Sequence, residues 1–305
     1  MQCFARWLAS ERIFPKIPFV LVESLFIVTI LIPFILTIYI SFLKWRANRP
    51  FETAQFSGFE NYEAVLTSDQ FWLALGRTFY FAGVAVTFEL VVGFVLAMLV
   101  SECTRSKKLY TTIFLVPMMI VPIVVGYNFS MIYIDSGPLN QLLAPFLEPF
   151  GIDPRIRWLS HPVAAQFAII IADIWQWTSL TFLIFLSGFS ALPRQLINAA
   201  RVMGATPWQI FWRVQFPLLK PAIMIAIIIR SMEALKLFDP VVLLTFGGPG
   251  TSTQTVAYFL WEQVWVFNKF SFGAAASILL LLIFSVLIYF GIYLLIRQSA
   301  VGRTA

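Results

Sequence analysis

The chain has 305 residues, 60% of them apolar and only 12% charged, and its mean hydropathy is +0.84. Soluble domains of this length carry about 25% charged residues, so the composition excludes one and indicates an all-α polytopic membrane protein. The net charge of +6 therefore reads as membrane topology rather than nucleic-acid affinity, and a single histidine, His161, argues against a histidine-based metal or catalytic centre.

Residues 1–16 carry Arg6, Arg12 and Lys16 and read as an N-terminal tail. The apolar run 17–43 contains one charge, Glu23, placed near the membrane surface. It is too long for the core of a secretory signal and is predicted as the first span. A polar connection follows, with Lys44, Arg46 and Arg49 among Glu52, Glu60, Glu63 and Asp69. Span two is predicted at 78–100 and contains Glu89. A basic turn (Arg105, Lys107, Lys108) leads to span three at 111–133, where Pro117 and Pro122 read as tolerated kinks. Residues 134–162 read as irregular because Gly137, Pro138, Pro145, Pro149, Gly151 and Pro154 interrupt them. Span four, 163–192, carries Asp173. Span five, 217–238, carries Arg230, Glu233 and Lys236. An aromatic-rich connection, 239–271, precedes the uncharged span six at 272–296, and 298–305 form a C-terminal tail. The expectation is thus one six-span membrane domain over 17–297.

The loop 190–220 differs from everything around it. It holds Arg194, Arg201, Arg213 and Lys220 and no acid. Pro193 opens a short helix, and Gly204 is placed to end it in a left-handed conformation. Thr206-Pro-Trp-Gln209 has the form of a capping box, and Pro217 and Pro221 are expected to break the pattern before span five. The expected structure is a bent, basic helix pair between two spans. Trp208, Phe211 and Trp212 form an apolar face on its second helix, suited to a partner's cleft or to the chain's own helix ends.

With both termini inside, twelve basic residues fall on the cytoplasmic side and seven (Lys44, Arg46, Arg49, Arg77, Arg155, Arg157, Lys269) on the other. The positive-inside rule then puts the bent loop in the cytoplasm, together with the only cysteines, Cys3 and Cys103, so no structural disulfide is expected.

Charges within spans are expensive, about 2.5–3.5 kcal/mol each at the centre, and each is a candidate functional group. Asp173 and Trp177 are four residues apart and share a helix face. A carboxylate beside an indole suits a sugar's hydroxyls and C–H faces; an interfacial aromatic belt would look the same. Arg230, Glu233, Lys236 and Asp239 step by three along one stripe, either an ion-pair ladder or a wall of a path. Glu89 has no basic partner on its own helix, so a partner from another span is expected, most plausibly Arg230. Tyr127 and Asn128 are further polar candidates in span three.

Asn198-Ala-Ala200, Gly204 and Val214-Gln-Phe-Pro217 resemble the EAA loop of binding-protein-dependent ABC importer permeases: EAA, three residues, Gly, nine residues, Ile-x-Leu-Pro. Asn198 stands where the family has glutamate, and Met203 where sugar permeases often have aspartate. Gly58-Phe-Glu-Asn-Tyr62, Gly137-Pro-Leu-Asn140 and Leu244-Thr-Phe-Gly-Gly-Pro-Gly250 are similar to further motifs of the sugar-type members. The resemblance implies a permease subunit in the bacterial inner membrane. It also implies a second permease chain, two ATPase subunits, an extracytoplasmic solute-binding protein and a sugar substrate, with no nucleic acid. Asp173, Trp177, Glu233, Lys236 and Asp239 would line the substrate path. Asn198, Ala199, Ala200, Gly204, Trp208 and Phe211 would couple to an ATPase. The chain has no G-x-x-x-x-G-K-[ST], so ATP and Mg are expected on the partner ATPases and no cofactor on this chain. A stand-alone secondary transporter or channel is the alternative, but such carriers often show internal repeats, and none is detected here.

Overall fold

The computed structural model describes residues 16–103, 105–151 and 153–301. Cys3, Arg6, Arg12 and Arg303 lie outside them. Helix α1 (Lys16–Phe26) runs through a π-helical turn, Ile27–Leu31, into α2 (Ile32–Ser41). Strands β1 (Leu43–Lys44) and β2 (Gln55–Phe56) and helix α3 (Glu60–Leu66) follow. Then come α4 (Asp69–Glu102), α5 (Lys107–Met119), α6 (Pro122–Ile132), α7 (Pro138–Leu147), α8 (Pro162–Ser190) and α9 (Arg194–Val202). The chain continues with α10 (Pro207–Ile210), α11 (Phe216–Ala234), α12 (Asp239–Leu244), α13 (Val256–Trp261) and α14 (Phe270–Val301). Among the described residues five helical stretches are long and apolar enough to cross a membrane, and α5 with α6 would make a sixth if the bent pair is one span.

The chain divides into two compact units. The first comprises 1–68 and 260–284. In it β1 and β2 pair antiparallel, Leu43 opposite Phe56. The Asn61 amide donates to the carbonyls of Ser41 and Leu43 at 2.9 and 2.7 Å, and the hydroxyls of Tyr62 and Ser41 share a 2.7 Å hydrogen bond. Gly58 supplies the left-handed residue (φ +58°) before α3. The motif Gly58–Tyr62 is therefore a staple that ties α3 back onto the end of α2.

The second unit comprises 69–259 and 285–305, and its centre is the packing of α4 against α8. Gly93 allows the approach: a Cβ there would lie 2.2 Å from Thr181 Oγ1 and 2.9 Å from the Phe182 nitrogen. Phe94, Phe182, Phe185, Leu219 and Ala226 fill the space where α11 joins this pair. Small residues at such crossings let backbones approach where no aqueous hydrophobic force pushes helices together.

Several expectations change. Pro217 and Pro221 do not break the chain: α10 runs through a π-helical turn, Phe211–Gln215, into α11, a continuous stretch Pro207–Ala234. The change to i→i−5 bonding comes just before Pro217, which has no N–H to donate and lies in the first turn of α11. The second piece of the loop is thus the start of span five, which ends at Ala234 rather than Phe238. Span two begins at Asp69. The stretch expected as span three is two helices bent by 93°. Its break falls at Ile120 and Val121, both extended, because a residue before proline is pushed out of the helical region; Pro117 stays helical. Residues 134–162 contain α7, with Pro138 in its first turn, and Lys44–Gln55 pairing makes the chain not strictly all-α.

Candidate substrate path and docking loop

Three charges meet where α4, α8 and α11 come together: Glu89, Asp173 and Arg230, each at most 2% exposed. The Arg230 guanidinium donates through Nη2 to Glu89 Oε1 at 2.9 Å. It also donates through Nε to Glu89 Oε2 and through Nη2 to Asp173 Oδ2. The planar fork lets one arginine serve two carboxylates from two different helices. Trp177, half-buried, covers the guanidinium, with its ring centroid 5.3 Å from Arg230 Cζ. Thr181, one turn further along α8, donates to the Glu89 backbone carbonyl at 2.8 Å. Charges carried into an apolar span are thereby matched within the chain.

The structure brings Glu89 and Arg230 together and adds Asp173, for which the sequence allows either a sugar contact or a place in an interfacial belt. Asp173 is a buried partner of Arg230 here, and Trp177 is the half-buried, more accessible member of that pair. One further pairing is not legible in the sequence. Buried Gln176 donates to the Ile120 carbonyl at 3.0 Å, satisfying the backbone where α5 and α6 break. The signal for it was a pre-proline break facing a polar side chain, but nothing local pairs the two.

The other predicted path residues do not join this cluster. Glu233 and Lys236 form their own ion pair at 3.0 Å, so the expected ladder loses Arg230 to the carboxylates of α4 and α8. Asp239 is exposed in the first turn of α12. Tyr127 and Asn128 are exposed on α6, whereas Val125 and Gly126 are buried, Gly126 against Leu243 of α12.

The docking loop is built from local hydrogen bonds. At the end of α9 the Gly204 N–H donates to the Arg201 carbonyl and the Ala205 N–H to the Ala200 carbonyl, both at 3.0 Å. Gly204 is left-handed, φ +81°. This is the paired bonding of a Schellman cap. Two residues on, the Thr206 N–H donates to Gln209 Oε1 at 2.9 Å, and the Gln209 N–H to Thr206 Oγ1 at 3.3 Å, a complete capping box. Val202 and Met203 project 90% and 86% exposed at the bend. Asn198 and Ala199 are exposed and Ala200 half-buried. Asn198 also lines a 340 Å³ polar cavity with Glu102, Lys107, Arg194 and Arg201.

The aromatic face divides. Phe211 packs on Phe94 at 6.1 Å and on Phe216 at 6.1 Å, so it belongs to the chain's own helix junction. Trp208 remains 70% exposed, stacked over Phe211 at 6.3 Å. Among the described residues no cluster of three or more His, Cys, Asp or Glu side chains could hold a metal ion.

A family model described as "Binding-protein-dependent transport system inner membrane component" matches residues 89–300. The chain is 36% identical over 248 residues to the probable ABC transporter permease protein y4oQ of Sinorhizobium fredii, covering 81% of this chain and 78% of that protein. It is 33% identical over 224 residues to the trehalose/maltose transport system permease protein MalF of Thermococcus litoralis, covering 73% and 74%. In fold it is similar to a chain of a bacterial ABC transporter involved in the import of the acidic polysaccharide alginate, with a TM-score of 0.80 at 21% identity over 96% of this chain and 99% of that one. The matched region contains the charge trio and the self-capped loop, and the chain belongs to the family of binding-protein-dependent transport system inner membrane components.

Proposed function

We propose that this chain is the membrane-spanning permease subunit of an ATP-driven importer of a sugar or related solute. The observation that carries the reading is the exposed, self-capped bend at Val202–Trp208 between apolar helices, in a chain of this family. Relatives named for trehalose and maltose transport support the sugar class. A similar fold in an alginate transporter complexed with its periplasmic protein supports partnership with a solute-binding protein. The remaining partners are a second permease chain and two ATPase subunits, which carry ATP and Mg. With α5 and α6 as one broken span the chain crosses six times, so both termini share a side, and the excess of basic residues there supports the cytoplasm for them and for the bend.

In this mechanism Asn198, Ala199, Ala200, Gly204 and Trp208 enter an ATPase cleft, and nucleotide binding moves α9 and the start of α10 as one piece. Because α10 is continuous with α11, that movement is transmitted along span five to Glu233 and Lys236. Rigid-body rocking then alternates access to a path lined by Tyr127, Asn128, Trp177, Glu233, Lys236 and Asp239. Nucleotide must favour one of the two states for the coupling to work. Asp173 acts from behind Trp177, holding Arg230 beneath the ring.

The test is ATP-driven uptake by proteoliposomes containing all subunits and the binding protein. Trp177→Ala is expected to lower sugar uptake while the subunits still co-purify; unchanged uptake kinetics would remove Trp177 from the path. Orientation is tested separately: a membrane-impermeant maleimide should reach Cys103 in inside-out vesicles and leave it unlabelled in intact cells.

A further inference from the structure

One cavity in the unit formed by 1–68 and 260–284 is used by nothing above. It measures 560 Å³ and is lined by Lys44, Arg46, Arg49 and Lys269, together with Trp45 and Ser271. Four cations thus converge from stretches more than two hundred residues apart in sequence, and no acidic side chain lines the cavity. Lys44 reaches the exposed Glu60 at 3.6 Å, whereas Arg46, Arg49 and Lys269 form no ion pair among the described residues. Lys269 lies over the rings of Phe267 and Phe272 at 5.6 and 5.9 Å.

The backbone that carries these charges is held in place. The Trp45 N–H donates to Ser271 Oγ at 3.1 Å, the Ala47 N–H to the Asn268 carbonyl at 3.3 Å, and the Trp45 indole N–H to the Arg49 carbonyl at 3.0 Å. The pairing of β1 with β2 and the Asn61 amide fix the Leu43–Lys44 end. The cavity also adjoins apolar surface. The most apolar window of Val22–Ser41 is only 6% buried, and a chain of rings runs Phe51–Trp45–Phe270–Trp265 at 5.3–5.7 Å spacings. Aromatic rings at the ends of apolar helices mark the membrane–water boundary, the depth at which lipid phosphates lie. The positive-inside count makes the charges more notable: all four belong to the minority placed on the far side.

We propose that this cavity is a specific site for the phosphate headgroup of an anionic phospholipid, its acyl chains lying along the exposed face of α1 and α2. The guanidinium groups of Arg46 and Arg49 offer paired donors matched to phosphate oxygens, and Lys44 and Lys269 add point charges. The inference rests on the chain spanning a membrane and not on what it transports.

The transporter is purified in detergent and titrated with phosphatidylglycerol, with phosphatidylcholine, or with inorganic phosphate alone, and bound lipid is counted by native mass spectrometry. Phosphatidylglycerol is expected to be retained in preference to phosphatidylcholine, with phosphate alone failing to displace it. Each basic side chain removed lowers retention about fivefold, so Arg46→Ala, Arg49→Ala and Lys269→Ala together lower it about a hundredfold. Arg46→Lys with Arg49→Lys keeps most of it. Equal retention of the two lipids by the wild type, which needs no variant to fold, overturns the proposal. So does full retention by the triple variant. Displacement of phosphatidylglycerol by inorganic phosphate makes the cavity a free-anion site and overturns the lipid assignment.

Discussion

The charge trio and the self-capped loop solve opposite problems within the same unit. At Glu89, Asp173 and Arg230 polar groups are withdrawn from solvent and satisfied by side chains 57 and 141 residues apart. At Ala200–Gln209 every decisive hydrogen bond spans three to five residues, and Val202, Met203 and Trp208 are left open. The first region has its partners inside the chain and holds three helices together. The second holds its own shape without help, which leaves its surface available for another protein. An element proposed to keep its form while a partner carries it has reason to be built in the second way.

The largest expected effect breaks the first region. Arg230→Ala strands two buried carboxylates, and losing one partner of a buried ion pair costs about 3–5 kcal/mol. Thermal melting of the purified transporter should show a severe loss. Replacing the trio together (Glu89→Leu, Asp173→Leu, Arg230→Met) should recover most of it, because no charge is then left unpaired. Failure to recover would mean that the trio acts on more than helix association.

Gly93→Leu is next. The added side chain meets backbone as well as Thr181, so α4 and α8 must separate, at a cost of about 1–3 kcal/mol. A melt no different from wild type would show that the close approach at Gly93 is not needed.

Gly204→Asp sharpens the contrast. The left-handed residue costs about 1 kcal/mol with a side chain, yet a Cβ there meets nothing within 4 Å, so the chain should still fold and insert. What should fail is pull-down of the ATPase subunit or ATP-driven uptake. Gly204→Asn, which tolerates the left-handed conformation better, should be milder. If Gly204→Asp keeps both activities, the bend is not the coupling element.

The smallest effect is expected from Asn198→Glu. A carboxylate would share the polar cavity with three cations, Lys107, Arg194 and Arg201, against one acid, Glu102, so the change should be tolerated in pull-down and uptake.

Legibility in the sequence followed the same division. Both loop caps could be read from Gly204 and Thr206–Gln209, because capping needs only residues a few positions apart. The need of Glu89 for a partner on another span could also be read, since an isolated carboxylate in an apolar run is too costly to leave alone. The partner set was harder. Four-residue spacing put Asp173 and Trp177 on one face of α8, but spacing cannot say whether that face meets a path or a third helix.

The sequence by itself determined the apolar stretches, the basic loop and its caps. Each is set by hydropathy or by hydrogen bonds within one turn. Only the tertiary structure decided that Asp173 shares Arg230 with Glu89, that Phe211 belongs to the helix junction while Trp208 stays open, and that Lys269 meets Lys44, Arg46 and Arg49 around one cavity. These outcomes depend on which faces of distant helices come together, and helical periodicity specifies a face without naming what packs against it.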